Sequence, residues 1–63
     1  MEWASIGGDW CSKSYWIEYN GGQLTPFTLL FIHPEGRSIE MGRFVNLKAA
    51  KLAAEFHALE MAE

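Results

Sequence analysis

As far as Phe44, polar and apolar residues follow a period of two, interrupted by clusters of glycine, proline and asparagine; beyond Asn46 the spacing becomes helical. Tyr15, Ile17 and Tyr19 fall on one side of an extended run, Trp16 and Glu18 on the other. The stretch Phe27-Thr28-Leu29-Leu30-Phe31-Ile32 is apolar on both sides, which predicts a central strand covered twice. In the next run Ile39 and Met41 alternate with Ser38 and Glu40. Strands are therefore predicted over residues 2–6, 11–19, 27–33 and 37–44, the first short enough to be an edge strand or an arm. Gly7-Gly8-Asp9, Asn20-Gly21-Gly22 and Pro34-Glu35-Gly36 punctuate them as turns, and such short connections favour antiparallel neighbours.

Asn46 is placed to cap a helix with its side-chain oxygen. No Glu or Gln follows three residues later, so the reciprocal capping box is missing. Residues 46–62 are rich in alanine and free of glycine and proline, which predicts one helix. The expected architecture is a single α+β domain over residues 1–63: a three- to four-stranded antiparallel β-meander followed by one C-terminal α-helix.

That helix carries two apolar sides. Leu52, Phe56 and Leu59 cluster on one, while Leu47, Ala50, Ala54, Ala58 and Met61 gather nearly opposite, with His57 at their edge. Lys48, Lys51 and Glu55 fill one seam between them, Lys51 and Glu55 spaced as an i,i+4 pair, and Glu60 sits in the other seam. A sheet can bury only one side. The other has three candidate covers: the N-terminal segment with Trp3, Ile6 and Trp10, a second copy of the chain, or a different protein. Burial of Leu52, Phe56 and Leu59 would contribute about 1.5–3 kcal/mol each, a large share of the stability of a small domain.

Composition narrows the function. At 63 residues with 49% hydrophobic content the chain is too apolar to be disordered, yet has little room for a core. Cys11 is the single cysteine, which excludes an intrachain disulfide and suits a reducing compartment. Five basic residues against eight acidic ones give a net charge of −3, the opposite of the usual nucleic-acid binder. No membrane-spanning run and no secretory leader pattern is present, so a cytoplasmic location is expected, that of the host cell if the protein derives from a phage.

The segment Met41-Gly42-Arg43-Phe44, then Asn46 and the alanines Ala49, Ala50, Ala53, Ala54 and Ala58, resembles the strand-to-helix passage of the plant ethylene-response-factor domain. It is similar also to the arm-binding domains of phage-type integrases, built from three antiparallel strands and a packed helix. The resemblance implies that the face with Ala50, Ala54 and His57 rests on the sheet and that Leu52, Phe56 and Leu59 point outward unless the N-terminal segment covers them. It further implies DNA binding on the open side of the sheet, where this chain offers Lys13, Trp16, Arg37 and Arg43. Glu18 and Glu40 are interleaved with those residues, a departure from the family's basic surface.

Little else carries chemistry. His33 precedes Pro34 and Glu35 and reads as a turn residue; His57 and Glu60 lie one helical turn apart without a third metal ligand. Cys11 has no basic cluster to activate it, and no nucleophile elbow, zinc-protease motif or phosphate loop occurs. The chain reads as a non-enzyme without cofactor or metal. Trp3, Trp10 and Trp16 are either core or interface anchors, and Glu2, Asp9, Glu18, Glu35 and Glu40 could meet a basic partner. The leading expectation is a small acidic binding protein that acts by protein–protein contact through Trp3, Trp10, Trp16, Leu52, Phe56 and Leu59. Phage and mobile-element accessory or inhibitor proteins, including antagonists of host defence, are the analogy in size and style. The alternatives are a DNA-binding module of the integrase-arm type and a structural homodimer joined through the helix.

Overall fold

A computed structural model describes residues 2–61. Its elements are β1 (Ala4–Ile6), β2 (Asp9–Ser12), β3 (Tyr15–Tyr19), β4 (Phe27–Ile32), β5 (Ser38–Phe44) and α1 (Leu47–Met61). The strands form one antiparallel sheet in the order β1-β2-β3-β4-β5, a meander followed by a C-terminal helix. The α+β architecture is the expected one. The helix ends within the described residues at Met61, and the anticipated extension to Ala62 lies outside them.

The predicted strand over 11–19 is two strands. Ser12 pairs with Tyr15, so Lys13 and Ser14 form a two-residue turn, with Lys13 at φ 52°. A side chain in that left-handed region costs roughly 1–2 kcal/mol, which explains why Lys13 does not announce a turn in the sequence. The turn is held to the next strand, since the Ile32 amide donates to the Ser14 carbonyl at 2.6 Å. The Gly7-Gly8 hairpin is conventional: Ile6 pairs with Asp9, and both glycines take the positive φ that a two-residue turn between twisted strands requires. At the β4–β5 connection the Gly36 amide donates to the His33 carbonyl at 2.8 Å and the His33 amide to the Arg37 carbonyl at 2.7 Å. One irregularity interrupts this last ladder. Leu29 pairs with Gly42 and Leu30 with Glu40, which leaves Met41 as the extra residue of a bulge.

Alternation sorts the side chains. Tyr15, Ile17 and Leu29 share one side of the sheet, and α1 crosses that side over β3, β4 and β5. Ile17, Leu29, Ala50 and Ala54 are fully buried, so the alanine side of the helix is the one that meets the sheet. Trp3, Trp10, Phe27, Phe31, Phe44, Leu47, Ala53 and Ala58 pack around this centre. Two polar contacts tie helix to sheet: the Tyr15 hydroxyl is 2.6 Å from His57 Nδ1, and Lys51 Nζ stands 4.2 Å from the centre of the Trp10 ring. The expected Lys51–Glu55 pair is thus replaced by a cation–π contact, because Trp10 lies beneath that seam.

Two expectations about coverage need correction. Trp3 and Trp10 pack on the core side of the sheet rather than over the outward side of α1, where Leu52, Phe56 and Leu59 remain 46%, 64% and 63% exposed. The strand β4 is covered on one side only; no helix or strand of the described chain lies over the side that carries Leu30 and Ile32.

Asn46 Oδ1 accepts the Ala49 amide at 2.8 Å, the cap expected from the sequence. Urea unfolding monitored by circular dichroism should therefore show Asn46→Ala destabilised by about 1 kcal/mol. In the same experiment Lys13→Gly should be more stable than the wild type by up to about 1 kcal/mol, as the left-handed turn loses its side-chain clash.

Candidate functional site

The two strongest candidate surfaces are the open side of the sheet and the outward side of α1. On the sheet, paired positions build a row from Ala4 through Cys11, Trp16 and Leu30 to Glu40, flanked by a second row of Glu18, Thr28 and Arg43. Ile6 and Asp9 face one another at one margin and Ile32 and Ser38 at another. Trp16 is fixed in place. Its indole N–H donates to Asp9 Oδ2 at 3.0 Å, and Asp9 Oδ1 accepts the Tyr19 amide at 3.0 Å. One carboxylate therefore orients the aromatic ring and closes the end of the β2–β3 ladder. Cys11, Trp16, Leu30 and Ile32 are half-buried by neighbours in the same sheet, and Thr28 is buried between them.

The charges around this row are mostly acidic. Glu18 accepts from the Asn20 side chain at 3.0 Å, and Arg43 Nε donates to Glu40 Oε1 at 3.1 Å. Arg37 is paired with Glu35 at 3.5 Å. Lys13 and Arg37 lie at the end of the sheet where the β2–β3 and β4–β5 turns meet, while Arg43 is opposite Thr28 toward the other end. The fold does not gather Lys13, Arg37 and Arg43 into one basic patch. Of the six expected interface residues it separates Trp16, on the open side of the sheet, from Trp3 and Trp10, which join the core, and from Leu52, Phe56 and Leu59 on the helix. Sequence spacing alone does not mark Leu30, Ile32, Cys11 and Asp9 as surface partners of Trp16. The signal available was a strand apolar on both sides in a chain with one helix.

The outward side of α1 is simpler. Leu52, Phe56 and Leu59, with Glu55, line a groove of about 290 Å³. Further hollows lie under the C-terminal end of α1, where Tyr15, Phe31, His33 and His57 form an aromatic cluster with neighbouring ring centres 5.4–6.0 Å apart. The Tyr15 hydroxyl and His57 Nδ1 share a hydrogen bond, so this ring nitrogen is already engaged. His33 Nδ1 is buried without a partner. Burial pushes the Tyr15 phenol above its ordinary pKa; the unfolded chain loses that proton first, so this contribution fades as pH rises above 10.0. Among the described residues no three His, Cys, Asp or Glu side chains come together as a metal set, and no helix is long and apolar enough to cross a membrane.

No protein-family model, curated protein or solved structure matches this chain. The functional reading rests on the surfaces themselves.

Asp9→Ala removes the acceptor of both the Trp16 indole and the Tyr19 amide. Two-dimensional NMR should show faster exchange of the Trp16 indole proton with that of Trp3 unchanged, and unfolding should become easier by about 1–3 kcal/mol.

Proposed function

We propose that this chain is a non-enzymatic binding protein that acts by covering a surface on another protein. In size, acidity and lack of chemistry it fits the style of accessory and inhibitor proteins carried by phages and mobile elements. Antagonism of a host defence factor is a setting in which simple occlusion suffices. The observation that carries the reading is the open side of the sheet, where Trp16 is held rigid by Asp9 beside Cys11, Leu30 and Ile32. A preoriented tryptophan amid apolar neighbours is the kind of anchor that dominates binding energy, because little side-chain freedom is lost on contact. The rim supplies the specificity. Asp9, Glu18 and Glu40 outnumber Arg43 on this side, so the fitting partner presents an apolar centre edged with lysine or arginine.

The DNA-binding alternative uses the same side of the sheet. Its candidate arginines are each engaged by a neighbouring glutamate, which leaves little positive charge for phosphates. Titration of labelled duplex DNA at low salt should therefore show no binding, whereas tight, salt-sensitive binding lost in Arg43→Gln would establish DNA as the ligand instead. For the protein partner, immobilised wild type should retain a host protein that elutes with salt. Glu18→Lys should weaken retention, and Trp16→Ala should reduce it by at least about tenfold while keeping its circular dichroism spectrum. Retention indifferent to both changes would refute this surface.

A further inference from the structure

We infer that the outward side of α1 is the contact surface for a second copy of this chain, with the two helices antiparallel about a two-fold axis. The surface is distinct from the open sheet side, and the inference stands whether or not a partner binds there. Ala49, Leu52, Phe56 and Leu59 recur at alternate spacings of three and four, the seam of a two-stranded coiled coil. Leu52, Phe56 and Leu59 are 46%, 64% and 63% exposed on that seam, and Ala49 is half-buried beside them.

The charges choose the partner and the direction. Lys48 and Glu55 occupy the same flank, each immediately before a seam residue, and Glu60 occupies the opposite flank. In an antiparallel two-fold pair like flanks face each other. Leu52 then packs on Phe56 of the second copy and Leu59 on the small Ala49, while Lys48 meets Glu55 of the second copy, twice by symmetry. In a parallel pair opposite flanks meet, and Glu55 would lie against Glu60 of the second copy, a repulsive contact also made twice. Only the antiparallel arrangement satisfies the pattern.

The helix's own field points the same way. α1 has no acidic residue in its first turn and no basic residue in its last, with its lysines in the N-terminal half and its glutamates in the C-terminal half. That order opposes the helix macrodipole and gains nothing for an isolated surface helix. Beside an antiparallel neighbour it becomes complementary. With 15 residues in α1 the seam is short, so the association should be a reversible, concentration-dependent equilibrium rather than a permanent dimer.

Sedimentation equilibrium over a range of concentrations tests this, with circular dichroism to confirm folding. The wild type should pass from monomer to dimer, and Phe56→Asp, at an exposed position, should stay monomeric with an unchanged spectrum. Lys48→Glu and Glu55→Lys should each weaken association several-fold, and the double exchange K48E/E55K should restore it. A wild type that remains monomeric up to about 1 mM would overturn the inference. So would dimerisation unaffected by Phe56→Asp. Stronger association in Glu55→Lys would show that the helices run parallel, and would overturn the arrangement equally.

Discussion

The close seating of Ala50 and Ala54 on Ile17 and Leu29 is the constraint from which the rest of the molecule follows. All four residues are wholly excluded from solvent, at the centre of a sheet only one helix can cover. Alanine has no side chain beyond Cβ, so the helix approaches the strands closely and the larger neighbours Tyr15, Phe31, Trp10 and Phe44 fill the margins. The Tyr15–His57 hydrogen bond and the Lys51–Trp10 contact then fix the rotation of α1 about its own axis. Once that rotation is set, Leu52, Phe56 and Leu59 have no route inward.

A single sheet and a single helix leave two outer surfaces, and in this protein both carry apolar groups. On the uncovered side of the sheet Trp16, Leu30 and Ile32 are half-buried; on the helix Leu52, Phe56 and Leu59 are exposed. Isolated exposed apolar residues are ordinary, but contiguous patches rimmed by charge mark contact surfaces. The two patches differ in kind. The sheet patch has an aromatic ring oriented by a carboxylate and an acidic rim, whereas the helix patch carries lysine and glutamate along one flank. A small domain that buries only about 60% of its chain surface has much to gain from covering either.

The architecture was legible in the residue pattern, because alternating runs, glycine turns and an alanine-rich C-terminal stretch all point to one answer. The Lys13-Ser14 turn was not. Lys13, which takes the positive φ, is not a usual turn former, and the trace of the turn is subtle: Ser12 and Tyr15 both face the helix side, so the alternation slips by one position between them. The double apolarity of Phe27–Ile32 was visible but suggested two covering layers, when the chain supplies one. Trp16 was legible as a candidate anchor; its fixation by Asp9 was not, because the two are brought together by a hairpin pairing that sequence spacing alone does not fix. The outward leucines and Phe56 were legible from helical spacing, and only the rotation of α1 decides which side they take.

Rotation of α1 is therefore the quantity to measure, and the unfolding midpoints of Ala54→Leu and Leu52→Ala, taken at concentrations where the chain is monomeric, read it directly. With the alanine side on the sheet, Ala54→Leu overfills a packed centre and should cost about 1–3 kcal/mol, while Leu52→Ala removes an exposed side chain and should cost about 0.5 kcal/mol or less. The reverse order, with Leu52→Ala the damaging change and Ala54→Leu tolerated, would place the leucine side on the sheet and contradict the account.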